Sequence, residues 1–190
     1  MLRWLMLAGL LALAGCAAQT TFDLQPAPPE TARFAVPELL PQRALRELRR
    51  GSAPNNRSAA EQFRFETGFA EVQKTYAGSK LTQEALAATG GREAIETWAR
   101  GLRFERSLTE VLAAERVVHE RFRGDGWLLR FATSQPGVEC AAGRAYFAIN
   151  TISDDRGFTF DTTLAALFCH PAGRGEDVAA LFRRLPAPRP

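Results

Sequence analysis

Residues 140–169, CAAGRAYFAINTISDDRGFTFDTTLAALFC, have the pattern of two strands joined by a turn. Arg144–Ile152 and Gly157–Phe168 are rich in β-branched and aromatic residues, which favour pleated strands. The segment Ser153–Gly157 between them carries the Asp and Gly residues of a tight turn. The sequence therefore predicts an antiparallel hairpin that turns near Asp155.

This hairpin brings the cysteines at its two ends close together. Folding at Asp155 places Cys140 nearly opposite Cys169, so the pattern predicts a disulfide. Closing a loop of this size stabilises a fold by about 3–4 kcal/mol in the chain-entropy model. Two buried thiols, or a reactive cysteine beside His170, are the alternatives. A zinc site lacks both a CxxC spacing and a fourth ligand.

Further strands are predicted before the hairpin, and a helix after it. Val117–Phe122 and Trp127–Thr133 have strand composition, so an antiparallel meander of about four strands is expected. Glu176–Leu185 has the apolar spacing of a closing helix. If helices cover only one face of this sheet, the face that carries Tyr146 is a candidate partner surface; coverage of both faces is the alternative.

The first half of the domain is predicted to be mainly helical. Ser58–Glu61 and Ser107–Glu110 have the form of capping boxes, which mark helix starts. Alternation from Phe63 to Phe69 leaves a strand as an alternative for the first of these. Further helical patterns occur at Leu39–Arg50, Thr82–Ala88 and around Ile95, Trp98, Ala99 and Leu102. The predicted fold class is α+β, with a helical N-terminal half packed on the antiparallel sheet and a short C-terminal helix.

The N-terminus has the organisation of a secretory signal. Arg3 is followed by the apolar run Trp4–Leu13, which is too short to span a bilayer. Leu13-Ala14-Gly15-Cys16 resembles the lipobox of bacterial lipoproteins. This resemblance implies cleavage before Cys16 and a diacylglycerol thioether on its sulfur, often with further acylation of its amine. Two or more acyl chains give stable membrane attachment.

The resemblance also sets expectations for location and for the other cysteines. Ala17, the second residue after cleavage, resembles the outer-membrane default of the enteric sorting rule. With Cys16 lipidated, Cys140 and Cys169 remain as a pair in an oxidising compartment, where disulfides persist. The expected organisation is a signal peptide over 1–15, a lipidated Pro-rich tether with a possible short helix over 16–57, a globular domain over 58–185 and a tail over 186–190.

The charge balance argues against nucleic acid as a partner. The formal net charge is +3, and loss of Arg3 with the signal leaves +3 − 1 = +2. Acidic and basic residues are interleaved rather than clustered, although the pI is near 9.0. A nucleic-acid-binding domain typically carries a basic patch or stripe, which this sequence lacks.

No catalytic, cofactor-binding or metal-binding residue is predicted. His119-Glu120 begins like a zinc-protease motif, but Arg123 stands where the second histidine is needed. Ser134 lacks the glycines of a nucleophile elbow. His170 has no identifiable nucleophile beside it. The acidic residues Asp154, Asp155 and Asp161 do not match the spacing of a calcium loop.

These patterns lead to one functional hypothesis and two rivals. We expect a membrane-anchored lipoprotein held through Cys16, acting without catalysis as a periplasm-facing binding or envelope-assembly module. Its partners would be membrane lipid and an envelope protein. The rivals are an inhibitor or immunity lipoprotein, and an envelope hydrolase that uses His119 or His170.

Overall fold

The computed structural model describes residues 22–52, 58–75, 91–102, 107–149, 160–172 and 176–185. These residues form one eight-stranded antiparallel sheet with the strand order β1-β2-β3-β4-β8-β7-β6-β5. The strands are β1 Gln25–Ala27, β2 Leu45–Ser52, β3 Ser58–Phe65, β4 Gly68–Thr75, β5 Leu108–Arg116, β6 Arg123–Thr133, β7 Val138–Ala148 and β8 Thr162–Pro171.

Three α-helices and one 3₁₀ turn accompany the sheet within the described residues. They are the 3₁₀ turn Pro29–Thr31 and the helices α1 Val36–Leu39, α2 Arg92–Gly101 and α3 Glu176–Arg184. Helix α2 packs on one face of the sheet, and α1 and α3 pack together on the other. No helix in the described part of the chain is both long enough and apolar enough to cross a membrane.

Two four-stranded meanders meet at the centre of the sheet. Strands β1–β4 follow one another from one edge of the sheet to its centre. The chain then passes through α2 to β5 at the opposite edge. Strands β5–β8 return to the centre, where Gly68 on β4 lies opposite Phe168 on β8. The sheet is therefore joined across its middle by residues that are distant in sequence.

Helix α3 lies close to the sheet because small residues stand beneath it. Ala141, Gly143, Ala145 and Ala166 share this face of β7 and β8, by alternation along the strands. A Cβ atom added at Gly143 would lie 2.8 Å from the Phe182 ring of α3. Gly143 thus gives Phe182 the space to pack against the backbone of the sheet.

Helix α2 seals the opposite face over β6, β7 and β8. Its Ile95 and Ala99 are buried against Leu129, Phe131 and the two cysteine side chains. An apolar stripe at helical spacing, with Arg and Glu on the other side, is the pattern of a surface helix packed on a core. This helix and α3 confirm the predictions made for the segment around Ile95 and for Glu176–Leu185.

Both edges of the sheet carry features that oppose pairing with another strand. Strand β1 is short and contains Pro26, which has no N–H to donate. Strand β5 has irregular register between Leu108 and Ala113. Arg100 on α2 donates to the carbonyls of Leu108 and Thr109 at 2.9 and 2.8 Å. The guanidinium therefore occupies acceptors that an added strand would use.

The predicted fold class was wrong, because most of the N-terminal half is sheet. Ser58–Glu61 lies in β3, and Leu108–Glu110 lies in β5 directly after Ser107, so neither segment starts a helix. A capping box is a local signal, and β3 instead pairs along its length with strands on both sides. The alternation from Phe63 to Phe69 was the correct alternative, with a turn at Glu66 and Thr67. Thr82–Ala88 lies outside the described residues.

The boundary drawn at residue 57 also differs from the structure. Residues 25–52 contribute β1, β2 and α1 to the domain, and Phe34, Val36, Leu40 and Leu48 are buried in the core. The possible helix over Leu39–Arg50 is instead mostly strand β2. Prolines fit here because they stand in β1, in the 3₁₀ turn and at the start of α1.

Val117–Phe122 was predicted as a strand, but it is a connecting segment between β5 and β6. Here Val117 is buried, Val118 is 73% exposed and His119 turns inward. Contacts with the end of α3 hold this segment away from a regular ladder. Its two valines predicted a strand, but only Val117 is buried and the segment lies between two strands.

Candidate functional site: the polar face of β2–β4

One face of strands β2, β3 and β4 is lined by polar side chains, which we call the polar face. Its register pairs are Glu47 with Arg64, Arg49 with Gln62, and Gln62 with Glu71. Because paired residues point to the same side of a sheet, these side chains project together. The polar face consists of Glu47, Arg49, Gln62, Arg64, Glu71 and Gln73.

These side chains form a chain of contacts across the three strands. Arg49 Nε lies 3.3 Å from Glu47 Oε1, and Arg64 Nε lies 3.9 Å from Glu47 Oε2. Arg64 Nε donates to Gln62 Oε1 at 2.9 Å. The Gln62 amide donates to Glu71 Oε2 at 2.9 Å, and this network preorders the face. Gln73 completes it by donating to Glu71 Oε1 at 2.6 Å.

The other side of the same strands is core. Leu48, Phe63, Phe65, Ala70 and Val72 belong to the apolar cluster beneath α1 and α3. Alternation of apolar and polar residues therefore explains the burial of one side and the polarity of the other, with Glu61 on the core side and Phe69 on the polar side as exceptions. The strands are held in place by their apolar side, so the polar side chains are not needed for the core.

The polar face is accessible and carries no net charge. Arg64 is exposed, and the other five residues are half-buried. Two arginines and two glutamates balance, and two glutamine amides add both donors and acceptors. The Nε of Arg49 is buried without meeting hydrogen-bond geometry, although it is within ion-pair distance of Glu47. This chemistry suits a hydrogen-bonding partner rather than an apolar one.

A buried carboxylate on the core side of these strands holds the N-terminal segment in place. Glu61 is 2% exposed and projects to the core side of β3. Its Oε2 accepts the N–H groups of Arg33 and Phe34 at 2.9 and 3.2 Å. Arg50 Nε donates to its Oε1 at 2.8 Å, and the same guanidinium donates to the Thr31 carbonyl. Glu61 thereby fixes the segment that carries Phe34 into the core.

The predicted disulfide is present. Cys140 and Cys169 stand directly opposite each other on β7 and β8, with Cα atoms 4.0 Å apart. Both are buried beneath α2. Cys16, the predicted lipidation residue, lies outside the described residues, as do Asp154 and Asp155. Asp161 accepts the Ile149 N–H at 2.9 Å.

The two histidines lie at opposite ends of the sheet. The ring of His119 packs 5.0 Å from that of Phe147 near one end of β7. His170 is opposite Glu139 near the other end. Eight residues of strand separate Phe147 from Glu139, which corresponds to roughly 27 Å. The two imidazoles are therefore not part of one site.

Each histidine is buried and hydrogen-bonded to backbone. His170 Nδ1 lies 2.9 Å from the Pro171 carbonyl, which can only accept, so Nδ1 carries the proton. Its Nε2 is buried without a partner among the described residues. Glu139 lies 3.4 Å from Arg130 Nη2. In the described ranges no three His, Cys, Asp or Glu side chains form a group that could hold a metal ion.

Tyr146 does not provide the partner surface that its strand pattern suggested. It is only 3% exposed, and helices lie on both faces of the sheet. The residues of the polar face were predicted to lie in helices, although Phe63-Arg64-Phe65 already shows the alternation of a half-exposed strand.

Comparisons with protein-family models, curated proteins and solved structures found no match to this chain.

Proposed function

We propose that this chain is a lipid-anchored, non-enzymatic binding module of the bacterial envelope, and that its partner contacts the polar face. The lipobox-like Leu13–Cys16 supports a membrane anchor through Cys16. Ala17 favours the outer membrane, with the domain facing the periplasm. The buried disulfide suits an oxidising compartment. No cofactor is required for binding of this kind.

The observation that carries the binding role is the ordered polar network on β2–β4. Protein interfaces formed by transient partners are about as polar as the rest of the surface and rely on hydrogen bonds and arginine contacts. The polar face offers guanidinium, carboxylate and amide groups in a preformed arrangement, so few side chains need to be ordered on binding. We infer a polar surface of another envelope protein as the partner.

The anchor is tested by metabolic labelling with a palmitate analogue. We expect the wild-type protein to carry the label and to fractionate with membranes, because the diacylglycerol that carries the acyl chains is attached through the Cys16 thiol. Cys16→Ala should lose the label and leave the membrane fraction. Equal labelling of the two proteins would show that Cys16 is not the acylated residue.

The polar face is tested by charge reversal at Arg49 and Arg64, followed by in-cell crosslinking and mass spectrometry. We expect Arg49→Glu/Arg64→Glu to reduce recovery of the crosslinked partner by at least about tenfold, which corresponds to 1.4 kcal/mol of binding free energy. The melting temperature should change by less than about 4 °C, because the side chains of these ion pairs are at least one-third exposed and surface pairs contribute little to stability.

Arg46→Glu is the matched control for this experiment. Arg46 pairs with Glu66 at 3.1 Å, and both side chains are exposed, at 62% and 73%. Its substitution reverses one arginine, where the double variant reverses two, and it lies outside the polar face, so the partner should still be captured. Equal capture by the double variant and the wild type would rule out the polar face as the contact surface.

A further inference from the structure

The segment between β5 and β6 is fastened to the C-terminal end of α3 by one backbone hydrogen bond and one side-chain hydrogen bond. The Glu120 N–H donates to the Arg183 carbonyl at 3.0 Å. His119 Nε2 lies 3.1 Å from the Leu185 carbonyl. We call this set of contacts the α3 latch.

The hydrogen bonds of His119 define its protonation state. A carbonyl only accepts, so Nε2 carries the proton that it shares with Leu185. Nδ1 accepts the N–H groups of Arg121 and Phe122 at 3.0 and 3.1 Å. A nitrogen that accepts two N–H groups has no room for a proton of its own. The latch in this form therefore requires the neutral imidazole.

The surroundings also oppose a charge on this ring. The ring is 9% exposed and packs 4.9 and 5.0 Å from the rings of Phe122 and Phe147. Burial lowers the pKa of His119 below its ordinary value of 6.5, against the opposing effects of the Leu185 carbonyl and Glu120.

The charged side chains around the latch are mostly committed to one another. Arg184 pairs with Glu120 at 3.1 Å, and Arg183 lies 3.5 Å from Glu115. Arg121 lies over the Phe122 ring. A proton on His119 would thus add a positive charge close to three arginines, while the carboxylates of Glu115 and Glu120 are already paired with arginine.

We propose that the α3 latch is a proton-operated contact: a proton on His119 Nδ1 displaces the N–H groups of Arg121 and Phe122, and the charged ring leaves its buried position beside Phe122 and Phe147, which frees Val117–Phe122 from the end of α3. The helix itself stays on the sheet, because Val178, Leu181 and Phe182 are fully or almost fully buried independently of His119. The change is local, and it alters the surface around Val118, which is 73% exposed. It is distinct from the polar face and does not depend on the proposed function.

The sign of the pH dependence follows from the lowered pKa. Above pH 6.5 the imidazole is neutral whether the latch is open or closed, so the latch has its full stability. As the pH falls below 6.5, the open form takes up a proton first and becomes more populated. We expect opening to increase by about tenfold per pH unit until the lowered pKa of the closed form is reached.

Hydrogen exchange followed by NMR measures this opening directly. The reporter amides are those of Glu120, Arg121 and Phe122, and the reference amide is that of Cys169, which donates to Thr67 at 2.8 Å. Protection factors of the reporters should fall between pH 7.5 and pH 5, relative to that of Cys169. A parallel fall at Cys169 would indicate global unfolding and would overturn the proposal.

Two variants identify the titrating group, because the chain has only two histidines. His119→Gln keeps an amide donor for the Leu185 carbonyl but cannot titrate, so the pH response should disappear. His170→Gln removes the other imidazole and should leave the response intact. The wild-type ring of His119, titrated by NMR, should have its midpoint at the pH where the fall in reporter protection levels off, because both mark the pKa of the closed form. A response that persists in His119→Gln, or one that levels off at a different pH, would refute the latch.

Discussion

Replacement of Cys140 and Cys169 together by alanine should lower the free energy of unfolding by about 3–4 kcal/mol. The bond closes a segment with a sequence separation of 29, and in the chain-entropy model a loop of this size gives about that much stabilisation. The measurement is urea unfolding of the oxidised wild type and the double variant. A shared denaturant slope would show that the loss is one of stability alone.

Reductant provides the control for this prediction. Dithiothreitol should lower the midpoint of the wild type and leave that of Cys140→Ala/Cys169→Ala unchanged. The double variant avoids leaving one reactive thiol, and alanine removes only small side chains next to Ile95 and Ala99. A midpoint of the double variant equal to that of the oxidised wild type would mean that the strand pairing, and not the bond, holds β7 to β8.

Substitution of Glu61 by alanine should destabilise the domain by about 3 kcal/mol. Removing one member of a buried ion pair leaves its partner without compensation, and such changes cost about 3–5 kcal/mol. We take the lower part of this range because the Arg50 side chain is 26% exposed and can be rehydrated. The N–H groups of Arg33 and Phe34 also lose their acceptor.

Glu66→Ala is the matched control for Glu61→Ala. Glu66 also pairs with an arginine, but both side chains are exposed, so its loss should change stability by less than about 1 kcal/mol. Glu61→Gln keeps one acceptor oxygen and should fall between the two. The same urea unfolding assay compares all three proteins. Equal stability of Glu61→Ala and Glu66→Ala would show that the N-terminal segment is held by its apolar residues alone.

The parts of the fold that were predictable are those that local patterns decide. Strands β7 and β8 follow each other along the chain and pair with Cys140 opposite Cys169, as the hairpin pattern of the sequence predicted. The apolar stripe around Ile95 predicted α2 for the same reason. In both cases the residues that determine the structure lie within one hairpin or one helix.

The N-terminal sheet was not predictable in this way, because distant pairing decides it. Ser58–Glu61 has a helix-start pattern, yet Glu61 is used to hold Arg33 and Phe34 from a segment 28 and 27 residues away. The polar face follows from the same pairing and was missed with it. Phe63 and Phe65 alternated with polar residues, and greater weight on that signal would have indicated strands.

The strand order has a consequence for how the sheet is completed as the chain is made. Strand β8 is last in sequence among the described strands but stands in the middle of the sheet, between β4 and β7. Until residues 162–171 are available, β4 and β7 each present an unpaired edge. Exposed inner edges of this kind are templates for wrong pairing. The protective features of β1 and β5 thus guard the finished molecule, whereas the nascent chain depends on prompt arrival of its final strand.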